Sequence, residues 1–288
     1  MAIVLALLSS LCFGMALVTG RVSLRTLDAR SGAAISIPSA TVLFILAAPF
    51  ALDITGYSVN AAIMFAAVGL FFPAIVTILT FRSNEQLGPT VTSAVSGTAP
   101  LFALLAAGLL LGEEIPAEAA VASVGVVAGV ALLSWKRDAM RSGFAGWALL
   151  WPLSGAAVRG LAQVGAKAGL LLWPNPFAAS LVGYLMSSAT VLGTHRLGRS
   201  DRARPTKESA FWFAVTGVLN GGAVLLMYAA LSMAPVSIVA PIVAAYPLIT
   251  SVISALVLHD DALTACKTAG AAITVAAILY LVASSTGA

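Results

Sequence analysis

Two stretches decide the reading of this chain: GPTVTSAVSGTAPLFALLAAGLLLGEEIP at Gly88–Pro116 and APVSIVAPIVAAYPLITSVISALVLHDDAL at Ala234–Leu263. Each opens beside a proline and stays apolar over about 20 residues, the length that crosses a hydrocarbon core as a helix. Each carries a further proline near its middle and closes on an acidic pair. A shift of 147 residues lays Gly88–Leu132 over Pro235–Leu279 without a gap. Pro100 then falls on Pro247, Leu101 on Leu248, Leu109 on Leu256, Leu111 on Leu258, and Glu113–Glu114 on Asp260–Asp261. A shift of 142 places Leu7, Leu8 and Leu11 on Leu149, Leu150 and Leu153, and Arg25 on Lys167. Leucine identities carry little in apolar sequence. The shared mid-helix proline and acidic pair carry the argument for an internal repeat.

The whole chain has the same character. Its 288 residues are 60% hydrophobic and 9% charged, with a mean hydropathy of +1.02. Soluble domains carry about a quarter charged residues, so this composition reads as an integral membrane protein. The apolar runs, such as Leu101–Leu111 and Val121–Leu133, are continuous rather than alternating. That excludes a barrel and leaves helices as the means of satisfying the backbone in lipid. The longest polar stretch, Arg196–Ser209, is too short for an extramembrane domain.

Apolar runs and their Pro, Gly or polar punctuation predict an all-α fold of ten transmembrane helices. The first five are Ala2–Gly20, Gly32–Leu52, Ala61–Phe81, Pro89–Leu111 and Pro116–Trp135. The second five are Gly146–Ala168, Pro176–His195, Ala210–Ser232, Pro235–Leu258 and Ala262–Ala283. Residues 1–139 and 140–288 are thus expected to be two five-helix repeats. An odd number of spans per repeat inserts the two with opposite orientation, the 5+5 architecture in which a central site alternates between the two faces. Internal Pro38, Pro49, Pro73, Pro100, Pro152, Pro241 and Pro247 predict kinks. The amino terminus lacks a basic region and a small-residue cleavage site, so it reads as the first span rather than a cleaved signal.

The two quoted segments resemble the signature hairpins of EamA-type transporters of the drug/metabolite transporter superfamily. The shared elements are a small residue and Pro at mid-helix, then an apolar run closing in Leu-Gly-Glu, here Leu111–Glu113. The second copy departs from this, with Leu258–Asp260 reading Leu-His-Asp. The resemblance covers essentially the whole chain and implies a ten-span transporter fold. It leaves the substrate open, since family members carry amino acids, other metabolites, nucleotide sugars, drugs or lipid-linked head groups.

Ionisable groups at membrane depth are costly and mark cavities or partners. Arg159 sits well inside the sixth span, with Gln163 and Lys167 following at spacing four. Two such steps drift only about 80° around a helix, so the stripe points a guanidinium, an amide and an ammonium toward one cavity. The alternative for Lys167 is to reach the interface along its aliphatic stem. Asn220 among Gly217, Gly221 and Gly222, Ser96 and Thr98 in the fourth span, and Tyr246 beside Pro247 complete the expected substrate-binding set. Hydroxyls bonded to their own helix are the bland alternative for Ser96 and Thr98. Tyr184, Tyr228 and Trp151 are further candidates to wall a cavity. Glu113–Glu114 and Asp260–Asp261 fit helix N-termini at the water boundary better than they fit chemistry.

These residues point to a secondary transporter that exports amino-acid-like or other small zwitterionic or anionic metabolites by alternating access. Substrate is expected between spans 1, 3, 4, 6, 8 and 9, its acid group held by Arg159 and Gln163. A lipid-linked-substrate flippase or drug exporter of the same superfamily, and a structural or assembly protein, remain as alternatives. No acid lies between Met1 and Thr19 or near the centre of another span, which disfavours lipophilic cations, and Arg159 and Lys167 would repel them. No cluster suits an intramembrane enzyme. With only Cys12 and Cys266, and with His195 and His259 far apart, neither a disulfide framework, a metal site nor a cofactor is expected. The expected partners are a small-molecule substrate and the lipid bilayer, not nucleic acid, in a monomer or homodimer. All Lys and Arg residues except Arg159 and Lys167 fall on odd-numbered connections or their flanks. Positive residues mark cytoplasmic loops, so both termini are expected outside a bacterial inner (plasma) membrane.

Overall fold

A computed structural model describes residues 1–25, 27–133, 146–197, 205–257 and 265–286. Among them helix is the only regular structure. The order is α1 (Ala2–Ser23), α2 (Ala29–Ala51), α3 (Val59–Phe71), α4 (Ala74–Ser96) and α5 (Ala99–Ala106), which runs into one wide turn at Ala107–Leu111. Then come α6 (Ala117–Leu133), a short 3₁₀ turn at Gly146–Leu149, α7 (Leu150–Leu172) and α8 (Pro176–Leu197). The chain ends with α9 (Lys207–Met233), α10 (Val236–Val243), α11 (Tyr246–Val257) and α12 (Ala265–Thr286). Seven helical stretches are long and apolar enough to cross a membrane: residues 2–23, 29–51, 59–89, 91–111, 176–194, 207–233 and 236–256. Two more, Ala117–Leu133 and Thr268–Ser284, are shorter and apolar. Helix α7 carries Arg159, Gln163 and Lys167 and is long enough but more polar.

The expected third span ends too early. The expected spans leave residues 82–88 as a connection, yet the helix continues to Gly88, because protein partners satisfy the polar groups of that stretch. Arg21 donates from Nη1 to the Asn84 carbonyl (2.7 Å), and the Asn84 amide donates to the Leu17 carbonyl (3.1 Å). The Glu85 carboxylate accepts the Ala29 N–H (2.7 Å) at the start of α2. At Gly88 the backbone takes φ +76°, ψ 170°, and the chain turns back. The Ser83 and Thr92 hydroxyls lie 2.8 Å apart, whereas nine residues of straight helix span about 13 Å.

Three other interruptions shape the bundle. Helix α3 stops where Phe72 is extended before Pro73, and Ser187 of α8 closes the gap by accepting the Ala74 N–H and donating to the Gly69 carbonyl. The remaining two are single turns at Gly97–Thr98 and Ala244–Ala245, each two residues ahead of a proline. The others of the predicted kink sites, Pro38, Pro49, Pro152 and Pro241, lie inside helices without interrupting them. An interior proline forfeits one N–H bond, which α2 and α10 absorb within a packed bundle, and Pro152 sits in the first turn of α7, where that N–H has no intrahelical acceptor.

Helix α1 packs along α9, α6 along α12, and α2 against α8 and α9. Helix α3 lies against α7 and α8, and α4 and α5 against α7. Leucine-rich outward faces are exposed, as at Leu46, Leu105 and Leu279, the pattern of a bundle solvated by lipid. Glu113 does not serve the helix that follows it. Its carboxylate accepts the Val236 N–H (2.9 Å) and the Ser237 N–H (3.3 Å), satisfying donors of α10. The matching Asp260–Asp261, with His259 and the 139/140 boundary, lie outside the described residues.

Candidate functional site

Arg159 lies about 13 Å from the start of α7 and about 20 Å from its end, at 1.5 Å per residue. It is buried, and neither its Nε nor its Nη1 has a hydrogen-bond partner. Instead the guanidinium faces two aromatic rings, with Cζ 4.8 Å from the Phe13 centroid and 5.4 Å from that of Tyr246. Each cation–π contact contributes about 0.5–2 kcal/mol, but a ring face accepts no directed N–H bond from the donors left over. The neighbouring Gly160 lets α7 reach this position, since a Cβ there would come within 2.8 Å of the Ala103 nitrogen and 2.9 Å of the Ala99 carbonyl oxygen.

Arg159 sits where two lobes of a cavity meet. The first is lined from α1 by Phe13, Ala16 and Leu17 and from α4 by Thr80, Phe81, Thr92 and Ser96. Asn220 of α9 and Tyr246 of α11 complete it. The second shares Phe13, Thr80, Phe81, Arg159 and Asn220 and adds Phe72, Pro73, Val76, Thr77, Tyr184 and Val224. The walls are largely aromatic and aliphatic, with hydroxyls and one amide, and among the described residues hold neither Asp nor Glu.

The expected residues therefore separate. Arg159, Asn220, Tyr246 and Ser96 meet in the cavity. Gln163 is buried one turn along from Arg159, its Oε1 without a partner, but lines neither lobe. Thr98 donates to the Val95 carbonyl (2.7 Å) within its own turn and also lines neither. Lys167 is half-buried and donates from Nζ to the Leu231 (2.7 Å) and Ala234 (3.0 Å) carbonyls at the end of α9. The eight-residue drift of the stripe carries it out of the cavity and onto the neighbouring helix end. Of the aromatic candidates, Tyr184 lines the second lobe, whereas Tyr228 and Trp151 do not. Phe13, Phe72, Phe81, Thr80 and Thr92 line the cavity without a sequence signal, because aromatic and hydroxyl residues are ordinary in apolar helices.

Comparison with known proteins gives a family. The model of the EamA-like transporter family matches residues 1–135 and 146–283. A solved crystal structure of another protein superposes with a TM-score of 0.78, covering 97% of this chain and 95% of that one at 15% identity. At that identity the likeness is one of fold. Among curated proteins, none matches this chain. The family match spans nearly the whole sequence, and the chain belongs to the EamA-like transporter family of the drug/metabolite transporter superfamily.

Proposed function

We propose that this chain is a secondary transporter that exports small zwitterionic or anionic, amino-acid-like metabolites by alternating access. The observation that carries the reading is the Arg159 guanidinium, buried in the cavity with Nε and Nη1 unpaired. Leaving a charged donor buried without a partner costs free energy, and an incoming carboxylate supplies the missing bonds in a low-dielectric setting where they are strong. Asn220, Ser96 and Tyr246 offer polar contacts around it, and Gln163 stands behind. Walls without Asp or Glu give a lipophilic cation no counter-charge.

The architecture belongs to the same reading. The chain is ten transmembrane helices in two inverted repeats, residues 1–139 and 140–288. The seven long apolar stretches, the two shorter ones and α7 supply the ten. Two features support the repeat. The turns at Gly97–Thr98 and Ala244–Ala245 are 147 residues apart and share their bonding: Thr98 N–H to Val95 and Leu101 N–H to Thr98 match Ala245 N–H to Ile242 and Leu248 N–H to Ala245. The main packing pairs also recur when each span is exchanged for the one five places on. Contact of α1 with α9 becomes that of α7 with α3 and α4; α2 with α9 becomes α8 with α3; α1 with α11 becomes α7 with α5. The pairs α6 with α12 and α2 with α8 map onto themselves.

The cavity then lies between the first, third, fourth, sixth, seventh, eighth and ninth spans, where rocking of one repeat against the other opens it to either side. The basic loops place both termini outside the bacterial inner membrane. Proteoliposomes loaded with labelled amino and organic acids test the function. Wild-type protein accelerates efflux of at least one, and Arg159→Ala, folded to the same extent, does not. Full flux through Arg159→Ala overturns the anion-site reading.

A further inference from the structure

Tyr184 of α8 is 1% exposed, and its hydroxyl has no hydrogen-bond partner. It lines the second lobe, away from the first. The ring is held in place, with the Phe44 ring 5.2 Å away between centroids. On the backbone side the Thr41 hydroxyl reaches both the Tyr184 carbonyl (3.1 Å) and the Ser188 hydroxyl (2.7 Å). Tyrosine hydroxyls usually find a partner when buried, and a buried polar group without one is destabilising. The lobe that Arg159 and Tyr184 share is walled mainly by apolar side chains, Phe72, Pro73, Val76 and Val224 among them, with the Thr77 and Thr80 hydroxyls and the Asn220 amide also on its lining. One lobe thus presents a cation, an unpartnered phenol hydroxyl and a largely apolar wall.

We propose that the second lobe is a specificity subsite. One substrate spans the cavity, its acid group on Arg159 and its apolar chain along Phe72 and Val224, and a polar group at its far end is hydrogen-bonded by the Tyr184 hydroxyl. This rests on the anion-site reading and narrows it to acids whose side chain ends in a hydrogen-bonding group. A site built to bond such a group discriminates against the analogue that lacks it, because the buried hydroxyl is then left unpaired.

The test uses matched pairs of L-amino acids differing only in a terminal hydroxyl: homoserine with 2-aminobutyrate, 5-hydroxynorvaline with norvaline, and 6-hydroxynorleucine with norleucine. Binding to the purified full chain is measured by calorimetry for wild type, Tyr184→Phe and Arg159→Gln. The expected result is about five- to tenfold tighter binding of the hydroxylated member at the chain length that reaches Tyr184, the worth of one hydrogen bond. That preference disappears in Tyr184→Phe, while the plain partner's affinity is unchanged, and both members are lost in Arg159→Gln. Tyr184→Phe removes only an unpartnered hydroxyl, so it folds and its ligand-free melting temperature does not fall. Binding with no preference for the hydroxyl, or with a preference that survives Tyr184→Phe, overturns the subsite and leaves the Arg159 anchor standing. Binding of no pair, or binding indifferent to Arg159→Gln, overturns the anchor and the subsite together.

Discussion

The Arg159 guanidinium carbon stands 4.8 Å from the ring centroid of Phe13, a residue from the opposite half of the chain. That contact is the nearest thing to a partner for two of its donor atoms, since Nε and Nη1 make no hydrogen bond. Desolvating an unpaired charge costs several kcal/mol, more than two ring contacts return. Arg159→Met is therefore expected to raise the melting temperature of the ligand-free protein while removing any stabilisation by substrate. A melting temperature several degrees below wild type would mark Arg159 as structural.

Lys167 sits eight residues further along α7 and has the opposite character, because its ammonium satisfies the Leu231 and Ala234 carbonyls at the end of α9. Cations at helix C-termini are stabilising. Lys167→Met is expected to cost on the order of 1–2 kcal/mol and to lower the melting temperature by a few degrees. Substrate affinity should stay within about twofold of wild type. A variant that keeps its stability and loses binding would return Lys167 to the site.

Gly88 turns the chain with φ +76° and ψ 170°, a conformation nearly confined to glycine, and a Cβ there would meet nothing within 4 Å. Backbone strain is thus isolated from crowding. Gly88→Ala is expected to destabilise by about 1–3 kcal/mol, read as a lower melting temperature with the cavity intact. An unchanged melting temperature would mean that the turn does not require glycine.

Asp53, fully exposed in the connection after α2, accepts the Thr55 N–H (2.8 Å) and hydroxyl (2.7 Å). These bonds favour the ionised form, backbone N–H first, and hold the carboxyl below the ordinary carboxylate range. A lowered folded pKa adds stability above the unfolded value, near 3.9, and loses it as pH falls through the folded value. Wild type should therefore melt above Asp53→Asn at neutral pH, with the difference shrinking on acidification below about pH 4. A difference that widens in acid would contradict this sign.

Much of this was legible in the sequence, for identifiable reasons. The membrane class follows from composition, and Arg159 announces itself as a charge that an apolar span would not otherwise carry. The turns at Gly97–Thr98 and Ala244–Ala245 were foreshadowed by Pro100 and Pro247, because proline weakens the turn before it. What the sequence hid depends on tertiary partners. Residues 82–88 look like a loop until Arg21 and Ala29 supply their bonds. Lys167 looks like Arg159's companion until the end of α9 lies beside it. Glu113 looks like the start of α6 until its carboxylate is found on α10. Phe13 owes its place to helix packing alone.

The central claim is that Arg159 anchors the acid group of a small metabolite inside the cavity. The most direct measurement is thermal stabilisation of purified wild type and Arg159→Gln by amino acids, organic acids, nucleotide sugars and tetraphenylphosphonium, since a ligand that binds the native state raises its stability by mass action. The account predicts stabilisation of wild type by an amino or organic acid that is lost in Arg159→Gln. Stabilisation by tetraphenylphosphonium alone, equal in both proteins, would contradict it.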